Sequence, residues 1–306
     1  MRAAPGLRQR PGLPASAGLL LLCCLACIPA VQARCPPAGH DLAALQRLKA
    51  KNFELPDAAA REALATDLVD CLGDPDPGLR DGVAYEALAQ WMRGRAFDAP
   101  ALRRLQARLL PMLAEPDPAG FRRPFAALVL AEVARSDRMQ PWMTDDERVA
   151  MVEAAAGYEA AVEDYRGFDP AEGWRHGVAH GADWLMQLAL NPALERAQLD
   201  RILAAVAVQA APVAGHAYVF GEPERLARPL LFVARRGLHG DGEWNAWLSQ
   251  RVADLGPARP GDPAWLARRH DLLALLRVLY VEADLAQEAG IKRLKPAVAA
   301  ALERLQ

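Results

Sequence analysis

Two of the six histidines of this 306-residue chain, one carboxylate and three glycines fall within Gly173-Trp174-Arg175-His176-Gly177-Val178-Ala179-His180-Gly181-Ala182-Asp183-Trp184-Leu185. If the stretch is one helix, a turn of about 100° per residue puts His176, His180, Asp183 and Gln187 within a sector of roughly 60°. Trp174, Val178, Gly181, Leu185 and Leu188 then share the opposite, apolar side. Spacings of four and three residues bring side chains together on one helix surface. Two imidazoles and a carboxylate so placed could hold a divalent metal, since zinc accepts nitrogen and carboxylate ligands. They could equally form a hydrogen-bonded relay, or the polar face of a packed helix. The zinc-protease pattern requires Glu directly after the first His, and here that position is Gly177. No cofactor is therefore predicted, and metal ligation by His176, His180 and Asp183 stands as an alternative.

Two further groups flank this stretch. Glu163, Asp164, Arg166 and Asp169 precede it, and His216, Tyr218, Glu222 and Arg225 lie at a later helix junction. Arg166 has the geometry to grip a carboxylate with two hydrogen bonds. One reading makes both groups structural Arg–acid pairs between helices. The other makes them converge on the His176/His180/Asp183 stripe, where a carboxylate beside an imidazole would tune it as an acid or base. The candidate functional surface is thus His176, His180, Asp183, Asp164, Arg166, Glu222 and Arg225. Trp174 and Trp184 are expected to pack core and groove, and Trp244 and Trp247 to share one helix face.

Some chemistry is excluded. Beyond the leader the only serines are Ser136 and Ser249, neither in a Gly-x-Ser-x-Gly elbow. There is no phosphate loop and no dinucleotide glycine fingerprint; Gly237, Gly240 and Gly242 have the wrong spacing.

The elements that must position these residues read as helices throughout. Ala, Leu, Arg and Glu dominate, alternating strand patterns are missing, and breaks recur at Pro and Gly. Helices are expected at about 41–51, 57–71 (capped by Asp57), 77–94, 98–114, 118–136 and 144–165. The 144–165 helix opens with the capping box Thr144-Asp145-Asp146-Glu147. The focal helix follows, then 197–211, one ending at Gly237, 243–255, one starting near Pro263, and 292–305. Leu72-Gly73-Asp74-Pro75-Asp76-Pro77 aligns with Leu113-Ala114-Glu115-Pro116-Asp117-Pro118 at an offset of 41 residues, and after one inserted residue Arg80, Ala84 and Leu88 align with Arg122, Ala126 and Leu130. A period near 40 with two helices per unit marks HEAT-type repeats. The fold class expected is all-α, a HEAT-like α/α superhelix (solenoid) of about twelve helices, with residues 34–306 as one domain.

Residues 1–33 have the pattern of a signal peptide. Arg2, Arg8 and Arg10 precede an apolar run from Ala17 to Ile28, and Val31-Gln32-Ala33 offers a cleavage site. The run is short for a membrane span and Pro29 ends it. Leu25-Ala26-Cys27 also resembles part of a lipoprotein box, although Cys24 stands where Leu is usual. Export, to the periplasm or beyond as a lipoprotein or secreted form, is expected, with no integral span after cleavage. Removing the leader takes away three arginines and leaves 33 basic against 38 acidic groups, a formal charge of −5. Such a chain has no strong pull on nucleic acid. Cys35 and Cys71 would alone survive cleavage, and an oxidising compartment favours one disulfide between them, with two free thiols as the alternative.

The motifs Asp164-x-Arg166-Gly167, Gly173-Trp174-x-His176-x-x-Ala179-His180-x-x-Asp183 and Glu222-x-x-Arg225-Leu226-Ala227 resemble a bacterial family catalogued as domain of unknown function 2785, over roughly residues 50–290. The resemblance implies an all-helical fold and brings no activity, cofactor or catalytic residue. Members often carry a Glu two residues before the Asp of Asp-x-Arg-Gly; here that position is Val162, with Glu163 adjacent, and if that Glu is a ligand its loss weakens a metal reading. The function expected is an exported helical binding or interaction module, its partner an unidentified protein or small molecule, using the His/Asp-bearing surface. The alternative is a metal-assisted or His/carboxylate hydrolase centred on His176, His180 and Asp183.

Overall fold

The computed structural model describes Met1 and residues 35–305; the expected signal peptide and lipoprotein-like segment lie outside the described residues. Residues 35–305 belong to one compact unit. In chain order the helices are α1 (Leu42–Ala50), α2 (Ala58–Leu68), α3 (Pro77–Leu79), α4 (Glu86–Arg93), α5 (Ala99–Met112), α6 (Arg122–Met139) and α7 (Asp145–Ala160). After a two-stranded hairpin, β1 (Phe168–Asp169) and β2 (Gly173–Trp174), come α8 (Gly177–Ala189), α9 (Arg196–Gln209), α10 (Glu222–Arg235), α11 (Asp241–Ala253), α12 (Pro263–Leu285), α13 (Ala289–Lys292) and α14 (Leu294–Glu303). Twelve of these, among the described residues, have eight residues or more. The fold is all-α.

The caps follow the local chemistry. Asp57, Asp98 and Asp262 each accept backbone N–H groups at the start of α2, α5 and α12. Thr144 and Glu147 close a reciprocal capping box on α7. Each such cap is worth about 1 kcal/mol. The two related Pro turns use their second acid alike. Asp76 accepts from Gly78 N at 2.8 Å, and Asp117 accepts from Gly120 N at 3.0 Å and Arg123 N at 2.9 Å.

Helices α4, α6, α8, α10 and α12 lie side by side in that order. Behind them α5 packs on α6, α7 on both α8 and α9, and α9 on α10. One continuous hydrophobic cluster from Leu45 to Leu305 fills the space between. Cys35 and Cys71 are joined by a disulfide, Cα–Cα 5.2 Å, which ties the segment before α1 to the turn after α2. Among the described residues, no helix is long and apolar enough to cross a membrane.

Two elements differ from the sequence expectation. The 144–165 helix stops at Ala160. The focal stretch is not one helix either: Gly173 and Trp174 form β2, and His176 is the N-cap, in the left-handed conformation at φ 56° and ψ 42°. Backbone pairing decides this. Arg175 N donates to Gly167 O at 3.0 Å and His176 N to Arg166 O at 3.1 Å, so the chain is drawn into a hairpin before the helix begins. Periodicity cannot register such a short-range pairing partner.

Buried arginines hold that hairpin in place. Arg80 lies in a π-helical segment, Arg80–Tyr85, between α3 and α4, and is fully buried. It donates to Asp74 O at 2.8 Å and to Glu172 O, in the hairpin turn, at 2.7 Å. Arg175 donates to Ala119 O at 2.7 Å. Both guanidinium groups lie over the ring of Phe121, at 3.9 and 4.2 Å, an attraction of about 1–2 kcal/mol when desolvated.

Candidate functional site

The stripe on α8 exists, and it is a seam between helices and not an open surface. His176, His180 and Asp183 are each more than nine-tenths buried. The neighbours on either side take them up differently. His180 pairs its Nδ1 with Pro124 O of α6 at 3.1 Å and meets the ring of Phe125 edge-on at 5.2 Å. Asp183 turns the other way, to Arg225 of α10 in a short ion pair and to Arg228 at 3.4 Å. Gln187 accepts from Arg138 of α6 at 3.1 Å. His180 and Asp183, two of the three candidate metal ligands, therefore serve different partners on opposite sides of α8. Among the described residues, no group of three or more His, Cys, Asp or Glu side chains is arranged to hold a metal ion.

His176 is the least satisfied member. Its Nε2 is buried without a hydrogen-bond partner and lies 3.8 Å from Glu222 Oε1, too far for a hydrogen bond. Glu222 itself is buried and accepts from Phe220 N at 2.9 Å. Burial, reinforced by the Arg225 charge, lowers the His176 pKa to about 4; the Phe220 carbonyl works the other way. Burial, then the neighbouring His176 and Arg225, lowers that of His180 to about 3. Both imidazoles are neutral at pH 7. A base of that strength is poorly matched to proton transfer at neutral pH.

Above His176 sits Trp174. Its ring stacks on the imidazole at 4.8 Å and 25°, and it contacts Phe168 at 5.0 Å and Phe220 at 5.9 Å. Trp174 and Phe168 remain 37% and 46% exposed. Trp174 thus caps the seam from the hairpin, contrary to the expected packing on the apolar face of α8. Trp184 is fully buried in the core as expected, and Trp244 is buried with Trp247 packed at the core edge.

The flanking groups divide. Glu222 and Arg225 join the seam. Asp164 and Arg166 do not: they pair with each other at 2.6 Å, half exposed, and Arg166 also donates to Pro118 O at 3.2 Å. Burial works against ionising Asp164, but its hydrogen bonds from Arg166 outweigh this and hold its carboxyl below the usual range. His216 stacks on Tyr165 at 5.3 Å. Tyr218 is buried, with its hydroxyl donating to Gln209 at 2.9 Å.

Behind the seam lies a carboxyl that the motif reading passed over. Glu159 on α7 is fully buried, and neither of its oxygens has a hydrogen-bond partner. Burial, then the Asp183 charge, pushes its pKa well above the ordinary value, in favour of the neutral carboxylic acid. It packs on Gly181, where any Cβ would overlap its carboxyl group and come within 2.9 Å of Tyr158. Asp271 of α12 is a second such group: it accepts from Tyr218 N at 2.8 Å, and burial raises its pKa to about 7. Arg228, in the next turn of α10 after Arg225, was a third omission. Its spacing from Arg225 was the available signal.

An all-α protein with a polar seam of two neutral histidines and an Arg-bound carboxylate, set between three neighbouring helices, is the class defined here. Residues 110–281, more than half of the chain, match the family described as protein of unknown function (DUF2785), and the chain belongs to that family. No curated protein and no solved structure matches it.

Proposed function

We propose that the mature chain, residues 34–306 after loss of a signal peptide, is an exported HEAT-like helical module. It binds a partner or ligand over the opening of the α8 seam. One observation carries the reading. The inner groups of the seam are taken up by neighbouring helices, while at its margin the Arg225, Arg228 and Trp174 side chains stay between one third and one half exposed around buried Asp183 and His176. Exposed Trp and Arg are the side chains that most often dominate binding energy at interfaces. The stacked order of α4 to α12 supports a superhelical frame, which presents extended binding faces.

The test is photocrosslinking in cells that export the protein. A photoreactive residue is placed at 174 or 228, with Leu285, 69% exposed, as the control position. Defined adducts from 174 and 228 that are missing from 285, and that survive His176→Gln, support a binding face. Adducts of equal yield from all three positions, or none, sink it. Mass spectrometry of the mature N-terminus checks export separately. A start at Arg34 agrees with cleavage after Ala33, a lipidated start at Cys27 replaces it with the lipoprotein form, and an intact Met1 excludes processing.

A further inference from the structure

At the opposite end of this helix layer the last turn of α4, the start of α5 and the last turn of α6 enclose a cleft of about 630 Å³. That size suits a small organic ligand. Phe97, Trp142 and Met92 supply apolar wall, and Arg93, Arg95 and Arg135 line the same cleft. The one carboxylate in the lining, Asp98, is committed to capping α5, accepting from Ala101 N at 2.8 Å. Arg93 is paired with Glu132. Among the described residues, Arg95 and Arg135 have no ion-pair partner. Arg138, next along α6, donates only to the neutral Gln187, and burial together with Arg135 and Arg235 lowers its pKa. Positive charge therefore collects here in a chain that is acidic after loss of its leader.

Cations at helix C-termini are favoured by the macrodipole, by 0.3–1 kcal/mol each, and that accounts for Arg93 and Arg138. It favours the charge of Arg95 too, but it does not account for the backbone that Arg95 adopts. This residue holds the left-handed position after α4 at φ 57°, although Gly94 stands immediately before it with φ −75°. A side chain there costs about 1 kcal/mol relative to glycine. What it contributes is a cationic residue in the lining of the cleft.

We propose that this cleft binds an organic anion, with its apolar body against Phe97 and Trp142 and its carboxylate or phosphate head held by Arg95 and Arg135. Arginine suits such heads because its planar donors match their oxygens in pairs. The site is separate from the Trp174 opening and does not depend on the function assigned to it.

Isothermal titration of the intact mature protein with 1-naphthyl phosphate and 1-naphthoate tests this, with 1-naphthol and 1-naphthylmethylamine as neutral and cationic counterparts. The expected result is saturable binding of at least one anion at one site per chain. It weakens at least tenfold in Arg135→Gln and in Arg95→Gly, and weakens as salt rises from 50 to 300 mM, as charge screening requires. Circular dichroism verifies that each variant is folded. Arg95→Gly relieves the left-handed strain and serves where Arg135→Gln fails to fold. No saturable binding by either anion, equal binding of 1-naphthol, or unchanged affinity in Arg95→Gly overturns the proposal.

Discussion

Glu159, Asp271 and the two seam histidines are buried titratable groups, and each gives the fold a pH dependence of predictable sign. Burial raises the pKa of Glu159 in the folded chain well above its unfolded value, near 4.3. The native state then holds the extra proton, so this contribution to stability is lost as pH rises. Glu159→Gln should raise Tm, and by more at pH 8 than at pH 5; an equal gain at both pH values would show an ionised carboxylate in the fold. Asp271, at about 7, has the same sign, with its window from about pH 4 to pH 7. At 1.36 kcal/mol per pKa unit, Asp271→Asn should gain a few kcal/mol at pH 8 relative to pH 4, read from urea unfolding midpoints. The histidines act oppositely. His180 stays neutral in the fold down to about 3 while the unfolded imidazole takes up its proton near 6.5. Stability is therefore lost as pH falls from 6.5. His180→Gln should reduce the difference in unfolding midpoint between pH 7 and pH 4.5, and an unchanged difference would mean that the histidine titrates normally.

At the scale of elements, the contact between α7 and α8 sets the depth of the seam. Gly181 lets α7 approach so closely that Tyr158 and Glu159 fill the space of a side chain. Ala is the better helix former by about 1 kcal/mol, yet Gly181→Ala should destabilise the fold by about 1–3 kcal/mol through overpacking. A gain in the chemical-denaturation midpoint would show that the two helices part freely. The hairpin is held by different means. Phe121 lies between Arg80 and Arg175, and the Arg80 guanidinium reaches the carbonyl of Glu172. Those contacts fix Trp174 above His176 although β1 and β2 are only two residues each.

For the whole molecule, one covalent tie spans the start of the helix array. The Cys35–Cys71 disulfide closes 36 residues of separation, a loop worth about 4 kcal/mol in unfolded-state entropy. The double variant Cys35→Ser/Cys71→Ser should lose stability of that order, and reductant should lower the wild-type unfolding midpoint while leaving the variant's unchanged. Equal sensitivity of the two proteins to reductant would remove the disulfide from the account. Stacking of α4, α6, α8, α10 and α12 by nearest neighbours leaves the ends of that layer with different chemistry. Aromatic rings and neutral histidines lie at the starts of α8 and α10, and arginines lie at the ends of α4, α6 and α10.

The helical class, most helix starts, the disulfide pairing and the 3.6-residue stripe on α8 were legible in the chain, because caps, proline turns, periodicity and cysteine count are local or nearly local properties. For the flanking groups the motif residues left two readings open, structural pairs between helices or convergence on the His176/Asp183 stripe. The rest waited on neighbours. Whether His176 faced water, metal or another helix depended on α10, 46 residues later. Trp174 left the helix because Gly167 and Arg166 offered backbone partners across the hairpin. Glu159 belongs to no motif, and only the approach of α7 to Gly181 made it a buried acid. Burial and like-charge proximity come from packing between segments distant in sequence, so the ionisation state and accessibility of the seam were decided by the tertiary structure.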